Sequence, residues 1–424
     1  MIAVILAGGF GTRLKEKTKN IPKPMLKIGG LPILERQINL LKKYGVKEII
    51  ILTHYLSEVI EKYFKDGGGF GVKISYFKEK EPLGTAGGFK EIENKLRDDF
   101  LIIYGDTMLN IDLSRLIAFH KKNNGLATLV LHPTDHPYDS DLVEIDKNQR
   151  IIAFHPKPHF KNQYFRNLVN TAVYAMSPKI LRYIEKGVKA DFGKNIFPKI
   201  FKKEALYGYR TAEYIRDVGT PARLLEVNRD YKSGKTERLN IKNKRAAIFI
   251  DRDGTINRHV DQLCKFEDFH LLKETAEAVG RINDSEFLAI AITNQPIVAM
   301  GLCSIEKLGQ IHNKMETLLG KKEAKLDGIY FCPHHPDYGE KCNCRKPEIG
   351  LVKMAEKDFN IDLEKSYFIG DSWRDILCGK NAGLTTIGVR TGRGCRGINI
   401  KPDYFAKDLL AAVNLIINKK HGIK

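Results

Sequence analysis

Three glycines within four positions, Gly8, Gly9 and Gly11, follow an apolar run near the amino end of the chain. Glycine lets backbone N–H groups approach a phosphate closely, and Arg13 offers a bidentate contact to the same anion. Further on, a proline on each side of Lys23 restricts the backbone that carries this ammonium group. The pattern predicts a phosphate-binding loop, with a rigid surface loop as the alternative interpretation.

Two aspartates, Asp251 and Asp253, stand two positions apart directly after the apolar run 248–250. One carboxylate in such a pair can attack a phosphate as nucleophile, while the other transfers protons. The alternative is a pair of acidic turn residues without a chemical role.

Three of the seven cysteines, Cys332, Cys342 and Cys344, crowd into 13 residues together with His334. Four nitrogen and sulfur ligands at this spacing suit a closed, tetrahedral Zn²⁺ site, and buried free thiols are the alternative. The other cysteines lack such neighbours in sequence and are predicted to be ordinary small residues: Cys264, Cys303, Cys378 and Cys395.

The candidate site residues must be positioned by strands and helices. Along the chain, apolar runs typical of buried strands alternate with stretches of helical periodicity. In the first half the predicted strands are 2–7, 48–53, 72–77 and 100–104, and the predicted helices are 32–44, 57–64, 85–96, 178–186 and 221–232. In the second half the predicted strands are 246–250, 287–293, 328–332, 367–370 and 386–389. The alternation predicts an α/β fold with mostly parallel sheets flanked by helices.

The polar stretch 233–244 separates the two alternating halves and is predicted to be a linker. We therefore expect two tandem domains, 1–232 and 245–424. The length of 424 residues agrees with two or three domains.

Composition excludes several classes of protein. With 43% hydrophobic and 29% charged residues the chain is not disordered, and no apolar run approaches the ~20 residues of a membrane helix. The net charge of +19 favours anionic ligands, although the basic residues are scattered and form no nucleic-acid-binding helix or tail. The first apolar run lacks a charged leader, so we expect a cytoplasmic protein without membrane partners.

The first half resembles the sugar-phosphate nucleotidyltransferase family over about residues 1–230. The matching motifs follow one another in order: GGFGTRL (8–14), PKPM (22–25), EPLGTAG (81–87), Gly105-Asp106, NTAVY (170–174), Asp191-Phe192 and DVGTP (217–221). The resemblance implies that a sugar 1-phosphate attacks the α-phosphorus of a nucleoside triphosphate and displaces pyrophosphate.

The same resemblance implies roles for individual residues. The nucleotide would be held by Leu6, Ala7, Gly8, Gly9, Gly11, Thr12, Arg13, Gly84, Thr85 and Asp106. Arg13 and Lys23 would be catalytic, Asp106 and Asp217 would bind Mg²⁺, and the sugar phosphate would contact Lys157 and Asn170.

The second half resembles the haloacid-dehalogenase phosphatases. Its motifs are DRDGT (251–255), Thr293-Asn294, Arg345-Lys346-Pro347 and Gly370-Asp371 with Asp375. The Cys/His loop directly before Arg345 is similar to the branch that contains heptose-1,7-bisphosphate 7-phosphatases and histidinol phosphatases.

This resemblance implies Asp251 as nucleophile, Asp253 as acid and base, and Thr293 and Lys346 as partners of the phosphoryl group. Substrate would also contact Asn294, Arg345 and Lys346, and Mg²⁺ would bind Asp251, Asp371 and the Asp253 carbonyl. The implied zinc ligands are Cys332, His334, Cys342 and Cys344.

Together the two resemblances predict a bifunctional enzyme of nucleotide-sugar biosynthesis. It would remove the 7-phosphate of D-glycero-D-manno-heptose 1,7-bisphosphate and join the product to GMP from GTP, with Mg²⁺ at both sites. Alternatives are a mannose- or glucose-1-phosphate nucleotidyltransferase fused to an unrelated phosphatase, or a nucleic-acid end-processing protein. A homo-oligomer is left open, and no nucleic-acid partner is expected.

Overall fold

The apolar runs of the sequence form strands in a computed structural model, which describes residues 1–160, 163–339, 341–396 and 399–420. Residues 421–424 of the predicted second domain lie outside the described residues. The chain divides into two compact units. Unit 1 comprises Met1–His132, Ser140–Lys157 and Leu168–Ile241, and unit 2 comprises Pro133–Asp139, Pro158–Asn167 and Lys242–Lys424.

Unit 1 is built on a mixed sheet with helices on its faces. Its strands are β1 (Ala3–Leu6), β2 (Lys27–Ile28), β3 (Leu31–Pro32), β4 (Glu48–Thr53), β5 (Lys73–Lys78), β6 (Phe100–Tyr104), β7 (Thr107–Asn110), β8 (Ala127–Pro133), β9 (Leu142–Ile145), β10 (Ile151–His155), β11 (Leu168–Met176), β12 (Leu206–Arg210) and β13 (Tyr214–Asp217). Its α-helices are α1 (Ile33–Lys43), α2 (Ser57–Phe64), α3 (Leu113–Asn123), α4 (Phe197–Ile200), α5 (Pro221–Lys232) and α6 (Lys235–Arg238).

The central strands of unit 1 run in the order β10-β9-β11-β6-β1-β4-β5, and β8 joins β11 to β12. β1 pairs in parallel with both β4 and β6, whereas β11 pairs antiparallel with β6. Successive residues of β1 enter different apolar clusters, since Val4 packs on one side and Ala3 and Ile5 on the other. Burial on both faces explains why the central strands are apolar throughout.

Unit 2 contains a parallel sheet of six strands in the order β16-β15-β14-β17-β18-β19. These are β14 (Ala247–Ile250), β15 (Leu288–Asn294), β16 (Gly328–Cys332), β17 (Tyr367–Gly370), β18 (Thr385–Val389) and β19 (Tyr404–Ala406). The helices are α7 (Thr275–Asp284), α8 (Ile305–Gly320), α9 (Gly350–Phe359), α10 (Trp373–Asn381) and α11 (Leu409–Lys420). The predicted α/β class is thus confirmed in both units.

Two short segments from within the first half of the sequence belong to unit 2, and one of them is bound to α8. The backbone N–H of Phe165 donates to Thr317 Oγ1 at 2.9 Å, and the Thr317 hydroxyl donates to the Phe165 carbonyl at 3.1 Å. The side-chain amide of Asn167 donates to the carbonyl of Glu316 at 2.7 Å. No sequence motif indicated this attachment.

Two predicted helices are tighter than expected. Residues 87–95 and 178–183 form 3-10 helices instead of α-helices. The first begins with Gly87 and Gly88, where close packing leaves no room for side chains: a Cβ atom on Gly88 would lie 2.5 Å from Glu79 Oε1. Paired glycines lower the propensity for an α-helix. This explains why the spacing of apolar residues predicted a longer α-helix than the structure contains.

Most of the polar stretch 233–244 belongs to unit 1, since residues 233–241 carry α6 and are bound to that unit, whereas 242–244 belong to unit 2. The side-chain amide of Asn240 donates to Asn110 Oδ1 at 3.1 Å, and the backbone N–H of Ile241 donates to Glu213 Oε1 at 3.0 Å. The domain limits at 232 and 245 remain predictions.

Candidate active sites and metal centre

The glycine loop of unit 1 follows the central strand β1. Ala7 is buried, and its N–H donates to the carbonyl of Leu52 in β4 at 2.7 Å. The backbone pairing therefore extends one residue beyond the end of β1 at Leu6, and the loop begins at Gly8. Gly11 has a φ of 64°, a conformation that glycine adopts without strain, and the 3-10 helix Thr12–Thr18 starts immediately after it. The loop therefore presents its backbone at the carboxyl edge of the sheet, where open α/β sheets bind ligands.

Two cations and two aspartates are gathered beside this loop. Lys23 is buried and forms an ion pair with Asp106, which follows β6. Asp217 ends β13, directly opposite Thr107 in the β7–β13 ladder. A Cβ atom on Gly219 would lie 2.6 Å from Asp217 Oδ2 and 3.1 Å from Arg13 Nη2, so Arg13 and Asp217 converge at this glycine.

Asp217 also accepts two hydrogen bonds from Arg223 Nη1, at 2.7 and 2.9 Å. Lys23 and Arg223 thus neutralise the two carboxylates that were predicted to hold Mg²⁺. The assignment of Mg²⁺ to Asp106 and Asp217 stays a prediction.

The predicted nucleotide and sugar contacts lie on two neighbouring segments. Gly84, at a φ of 76°, packs against the carbonyl of Ala190, and the hydroxyl of Thr85 accepts from the N–H of Phe192 at 3.0 Å. The Asn170 side chain accepts from the N–H of Ala172 at 3.2 Å. Lys157 is exposed and its backbone N–H donates to Asp141 Oδ1 at 3.1 Å.

A buried carboxyl group that the motif analysis missed lies under the glycine loop. Cβ atoms on Gly8 and Gly88 would lie 3.3 and 2.5 Å from the two carboxyl oxygens of Glu79. Burial raises the pKa of Glu79 to about 7, although the nearby His54 opposes this shift. Its position just before the EPLGTAG motif was the one available signal.

The second site is centred on the ammonium group of Lys346, which is 3% exposed. Lys346 Nζ lies 2.6 Å from Asp251 Oδ1 and 2.6 Å from Asp375 Oδ1, and it donates to the carbonyl of Ile292 at 2.9 Å. Asp251 follows β14, and Asp371 follows the neighbouring strand β17. Parallel strands therefore deliver the predicted nucleophile and the predicted metal ligand to one edge.

Three buried carboxylates, those of Asp251, Asp371 and Asp375, have oxygens within 4.8 Å of one another. Burial and the neighbouring Asp375 raise the pKa of Asp251, and the same two causes raise the pKa of Asp371 to about 6. One ammonium group does not balance three carboxylates, and oxygen ligands of this kind suit Mg²⁺. Asp375 was noticed in the sequence but given no role.

The Asp253 carboxylate is not part of this group of three and has its own hydrogen-bond partners. Its oxygens accept hydrogen bonds from Arg252, Asn257 and Gln295 at 2.7 to 3.1 Å. Burial alone would raise its pKa, but Arg252 and the hydrogen bonds lower it overall. Gln295 also donates to the hydroxyl of Thr293 at 2.8 Å, which links two predicted catalytic residues.

Asn294 was predicted to contact substrate, and the structure shows its side chain bonded to the backbone of Lys346. The Asn294 amide donates to the Lys346 carbonyl at 3.0 Å, and its oxygen accepts from the Lys346 N–H at 2.9 Å. Both ends of the amide therefore orient the lysine.

Three arginines lie close to one another beside Asp371 and Asp375. The guanidinium of Arg345 donates to the carbonyl of His334 at 3.0 Å, and the backbone N–H of Arg393 donates to Asp371 Oδ2 at 2.5 Å. Burial and the proximity of Arg345 and Arg393 lower the pKa of Arg374. Mutually repelling guanidinium groups at one edge favour an anionic ligand.

The four predicted zinc ligands come together. The Cys332 and Cys342 sulfurs are 3.6 Å apart and the Cys342 and Cys344 sulfurs 3.4 Å, while His334 Nδ1 lies 3.7 Å from Cys332 Sγ and 3.3 Å from Cys344 Sγ. Ligands about 2.0 to 2.3 Å from a tetrahedral Zn²⁺ are about 3.5 to 3.8 Å from one another. Hydrogen bonds from the Cys344 backbone and from the neighbouring thiols outweigh burial and lower the pKa of Cys342 to about 7. The group can thus hold a metal ion.

Among the helices of the described residues, none combines the length and the apolar run needed to cross a bilayer.

Profiles of two known families match the chain. The nucleotidyl transferase profile matches residues 2–234, and the HAD-hydrolase-like profile matches residues 343–412. Both matches agree with the resemblances seen in the motifs.

The chain is 33% identical to a mannose-1-phosphate guanylyltransferase of Mycobacterium tuberculosis over 55% of its own length, and it spans 65% of that protein. It is 37% identical to the D-glycero-alpha-D-manno-heptose 1-phosphate guanylyltransferase of Campylobacter jejuni, over 52% of its own length and 96% of that protein. A crystal structure of a D,D-heptose 1,7-bisphosphate phosphatase from B. bronchiseptica is similar with a TM-score of 0.39 and 29% identity, covering 41% of this chain and 99% of that one.

The packing of Gly392 against Asp371 leads to a first prediction. Gly392 has a φ of 54°, and a Cβ atom there would lie 2.0 Å from Asp371 Oδ2. Gly392→Ala should displace this carboxylate and lower phosphatase activity by tenfold or more.

Gly383→Ala is the matched control, because Gly383 has a φ of 75° but no atom within 4 Å of its Cβ position. It should cost only the strain of a left-handed alanine, about 1 kcal/mol in thermal unfolding, and should keep full activity. Equal activity of the two variants would contradict a role for Asp371.

Proposed function

Because the chain belongs to the nucleotidyl transferase family over residues 2–234 and carries a HAD-like domain at its carboxyl end, we propose that it is a bifunctional sugar-phosphate guanylyltransferase and phosphatase. The observation that carries the proposal is a pair of clusters of cations and carboxylates, one around Arg13 and Lys23 in unit 1 and the other around Asp251 and Lys346 in unit 2. The Campylobacter relative supports heptose 1-phosphate as the sugar for the first site.

In the first site the chemistry is mainly alignment and charge neutralisation. The sugar-phosphate oxygen attacks the α-phosphorus, and the bond to pyrophosphate breaks in line with it. Arg13 holds the departing pyrophosphate on the glycine loop, and Lys23 bridges the reacting phosphates. A Mg²⁺ bound by Asp106 and Asp217 would neutralise phosphate charge.

In the second site a carboxylate oxygen of Asp251 attacks the substrate phosphorus, and the bond between that phosphorus and the sugar oxygen breaks. Asp253 gives a proton to that oxygen and later takes one from the water that hydrolyses the aspartyl phosphate. The ionised Asp253 held by Arg252 suits the second step, and the negative charge of an incoming phosphate raises its pKa toward the protonated form needed first. A Mg²⁺ at Asp251 and Asp371 would offset the charge of the phosphoryl group.

A bisphosphate substrate suits the second site because the site carries more positive charge than the reacting phosphate alone requires. Arg345, Arg374 and Arg393 supply positive charge at the rim, in addition to Lys346 at the reacting group. The proposed product, a heptose 1-phosphate, is the nucleophile that the first site requires. Fusion would raise the local concentration of this intermediate.

Mannose- or glucose-1-phosphate transfer beside an unrelated phosphatase is the alternative, and the mycobacterial relative gives it some support. No observation favours the nucleic-acid end-processing hypothesis.

Incubation of heptose 1,7-bisphosphate with GTP and Mg²⁺ tests the proposal. Phosphate, pyrophosphate and GDP-heptose should appear together in mass spectra. Asp251→Asn should abolish phosphate release but leave guanylyl transfer to added heptose 1-phosphate, because the nucleophile serves only one site. Lys23→Ala should do the reverse.

Release of phosphate without any nucleotide sugar from GTP, ATP, CTP or UTP would refute the coupled reaction. Loss of both activities in Asp251→Asn would show that the two sites are not independent.

The glycine loop and Glu79 support guanine as the base. A carboxylate can accept from both N1–H and the N2 amino group of guanine, and no other common base presents two adjacent donors of this kind. A bidentate contact contributes about 1 to 3 kcal/mol of discrimination. We therefore infer that Glu79 reads the base.

Glu79→Gln should raise the KM for GTP by about 5- to 150-fold, because an amide group opposes one guanine donor with its own N–H. Since only the ionised carboxylate accepts both bonds and its pKa is raised to about 7, the wild-type KM should fall about tenfold from pH 6 to pH 8. The variant should lose this dependence. The exposed Glu81→Gln is the control, and unchanged KM values in Glu79→Gln would exclude the contact.

A structural zinc ion at the Cys/His cluster is also part of the proposal. Cys342→Ser should release the metal and lower phosphatase activity by disordering the loop that carries Arg345 and Lys346. Metal analysis with phosphate-release assays checks this, and Cys264→Ser serves as control. Wild-type protein with less than about half an equivalent of zinc would contradict it.

A further inference from the structure

Unit 2 contains a cavity of about 850 Å³ that the proposed reactions do not use. Its walls come from the segment after the DRDGT motif, from the start of α7 and from the end of α8. The apolar part of the lining consists of Phe269, Leu271, Leu272, Ala276 and Leu318. The volume lies within the range of cavities that bind small organic molecules.

The charged part of the lining is unbalanced. Four cations, Arg258, Lys314, Lys321 and Lys322, line the cavity with two acids. Glu277 is paired with Arg281 at 2.8 Å, and Glu274 is paired with Lys273 at 3.8 Å. Within the ranges that the structure covers, no carboxylate forms an ion pair with any of the four cations. The cavity therefore offers positive charge to a ligand.

Lys314 is the best-placed of these cations, because it is 9% exposed and its position is set by backbone carbonyls. Its ammonium group donates to the carbonyls of Phe266 at 2.7 Å and Glu267 at 3.3 Å. An ammonium group has three donors, so one is left for a ligand. Burial lowers the pKa of Lys314, although the carboxylates of Glu267 and Asp268 oppose this shift.

Two parts of the chain, the segment 257–258 and α8, lie between the cavity and the proposed phosphatase centre. Asn257 donates to the Asp253 carboxylate, and the next residue, Arg258, lines the cavity. On α8, His312 contacts Arg252, whereas Lys314 is two residues further and so about 200° around the helix. The cavity is thus a separate site from the carboxylate cluster of Asp251, Asp371 and Asp375.

Size and polarity select the ligand class. Inorganic phosphate would match the cations but leave most of 850 Å³ and the leucines without contacts. A bare sugar phosphate would bring hydroxyl groups against apolar side chains, where their hydrogen bonds are lost. A planar base can pack on Leu271, Leu272 and Leu318, which are partly exposed, while phosphates reach the lysines and Arg258. We propose that this cavity binds a nucleoside phosphate.

Hydrogen exchange with guanosine 5′-diphosphate as probe tests the proposal on the full chain. Peptides that cover 268–277 and 314–322 should become protected, and calorimetry should find two sites per chain, one of them on the glycine loop. The double variant Lys321→Glu/Lys322→Glu alters exposed residues and should lose the protection with at least tenfold weaker binding at that site. Lys307→Glu/Lys357→Glu carries the same charge change elsewhere and should bind like the wild type.

Arg13→Ala/Lys23→Ala separates the two proposals, because it should remove only the glycine-loop site. Equal protection of 268–277 by guanosine diphosphate in the wild type and in Lys321→Glu/Lys322→Glu would overturn the cavity proposal. Equal protection by inorganic phosphate or by mannose 1-phosphate would also overturn it, because the lining would then not select a nucleoside.

Discussion

The contact of Lys346 with Asp251 and Asp375 is the interaction on which the geometry of unit 2 depends. Three carboxylates lie within 4.8 Å of one another in a buried environment, and without an internal cation their repulsion would be strongly destabilising. Asn294 holds the lysine backbone from β15, and the Cys/His cluster ends two residues before it. The strand, the Cys/His cluster and the two carboxylates therefore all determine the position of one ammonium group.

Unit 1 also balances carboxylates with cations, but its charged groups are more exposed. The Lys23–Asp106 pair has an acid that is about one third exposed, and Asp217 is bound by Arg223, with Arg13 also beside Gly219. Here the charged groups surround an open loop instead of a closed pocket. The difference suits the two proposed reactions, since a nucleoside triphosphate needs a long binding surface while aspartyl-phosphate chemistry needs a dry, compact one.

Motif spacing predicted the residues at strand ends well, because parallel strands bring their carboxyl ends to one edge whatever the rest of the fold does. Asp251, Asp371 and Lys346 meet there, and the Cys/His ligands cluster within one loop. Sequence patterns could not predict Glu79, whose proximity to Gly8 and Gly88 arises only when β5 is placed beside β4. The grouping of Arg345, Arg374 and Arg393 likewise depends on three separate segments, two loops and the first turn of α10. Asn294 shows a further limit of prediction from sequence. Its residue type suggested a contact with substrate, whereas both the nitrogen and the oxygen of its side-chain amide bind the backbone of Lys346.

The attachment of Phe165 and Asn167 to α8 has a consequence for how the chain acquires its structure during synthesis. Their partners Thr317 and Glu316 lie about 150 positions later, so the ribosome completes the whole of unit 1 before these hydrogen bonds can form. Until then the segment must wait as a solvated loop, and its closure onto α8 costs the entropy of a very long loop. An early piece of the chain therefore reaches its final contacts only after α8 has been made, and a cut at the boundary between the two family segments would leave that piece without its binding surface.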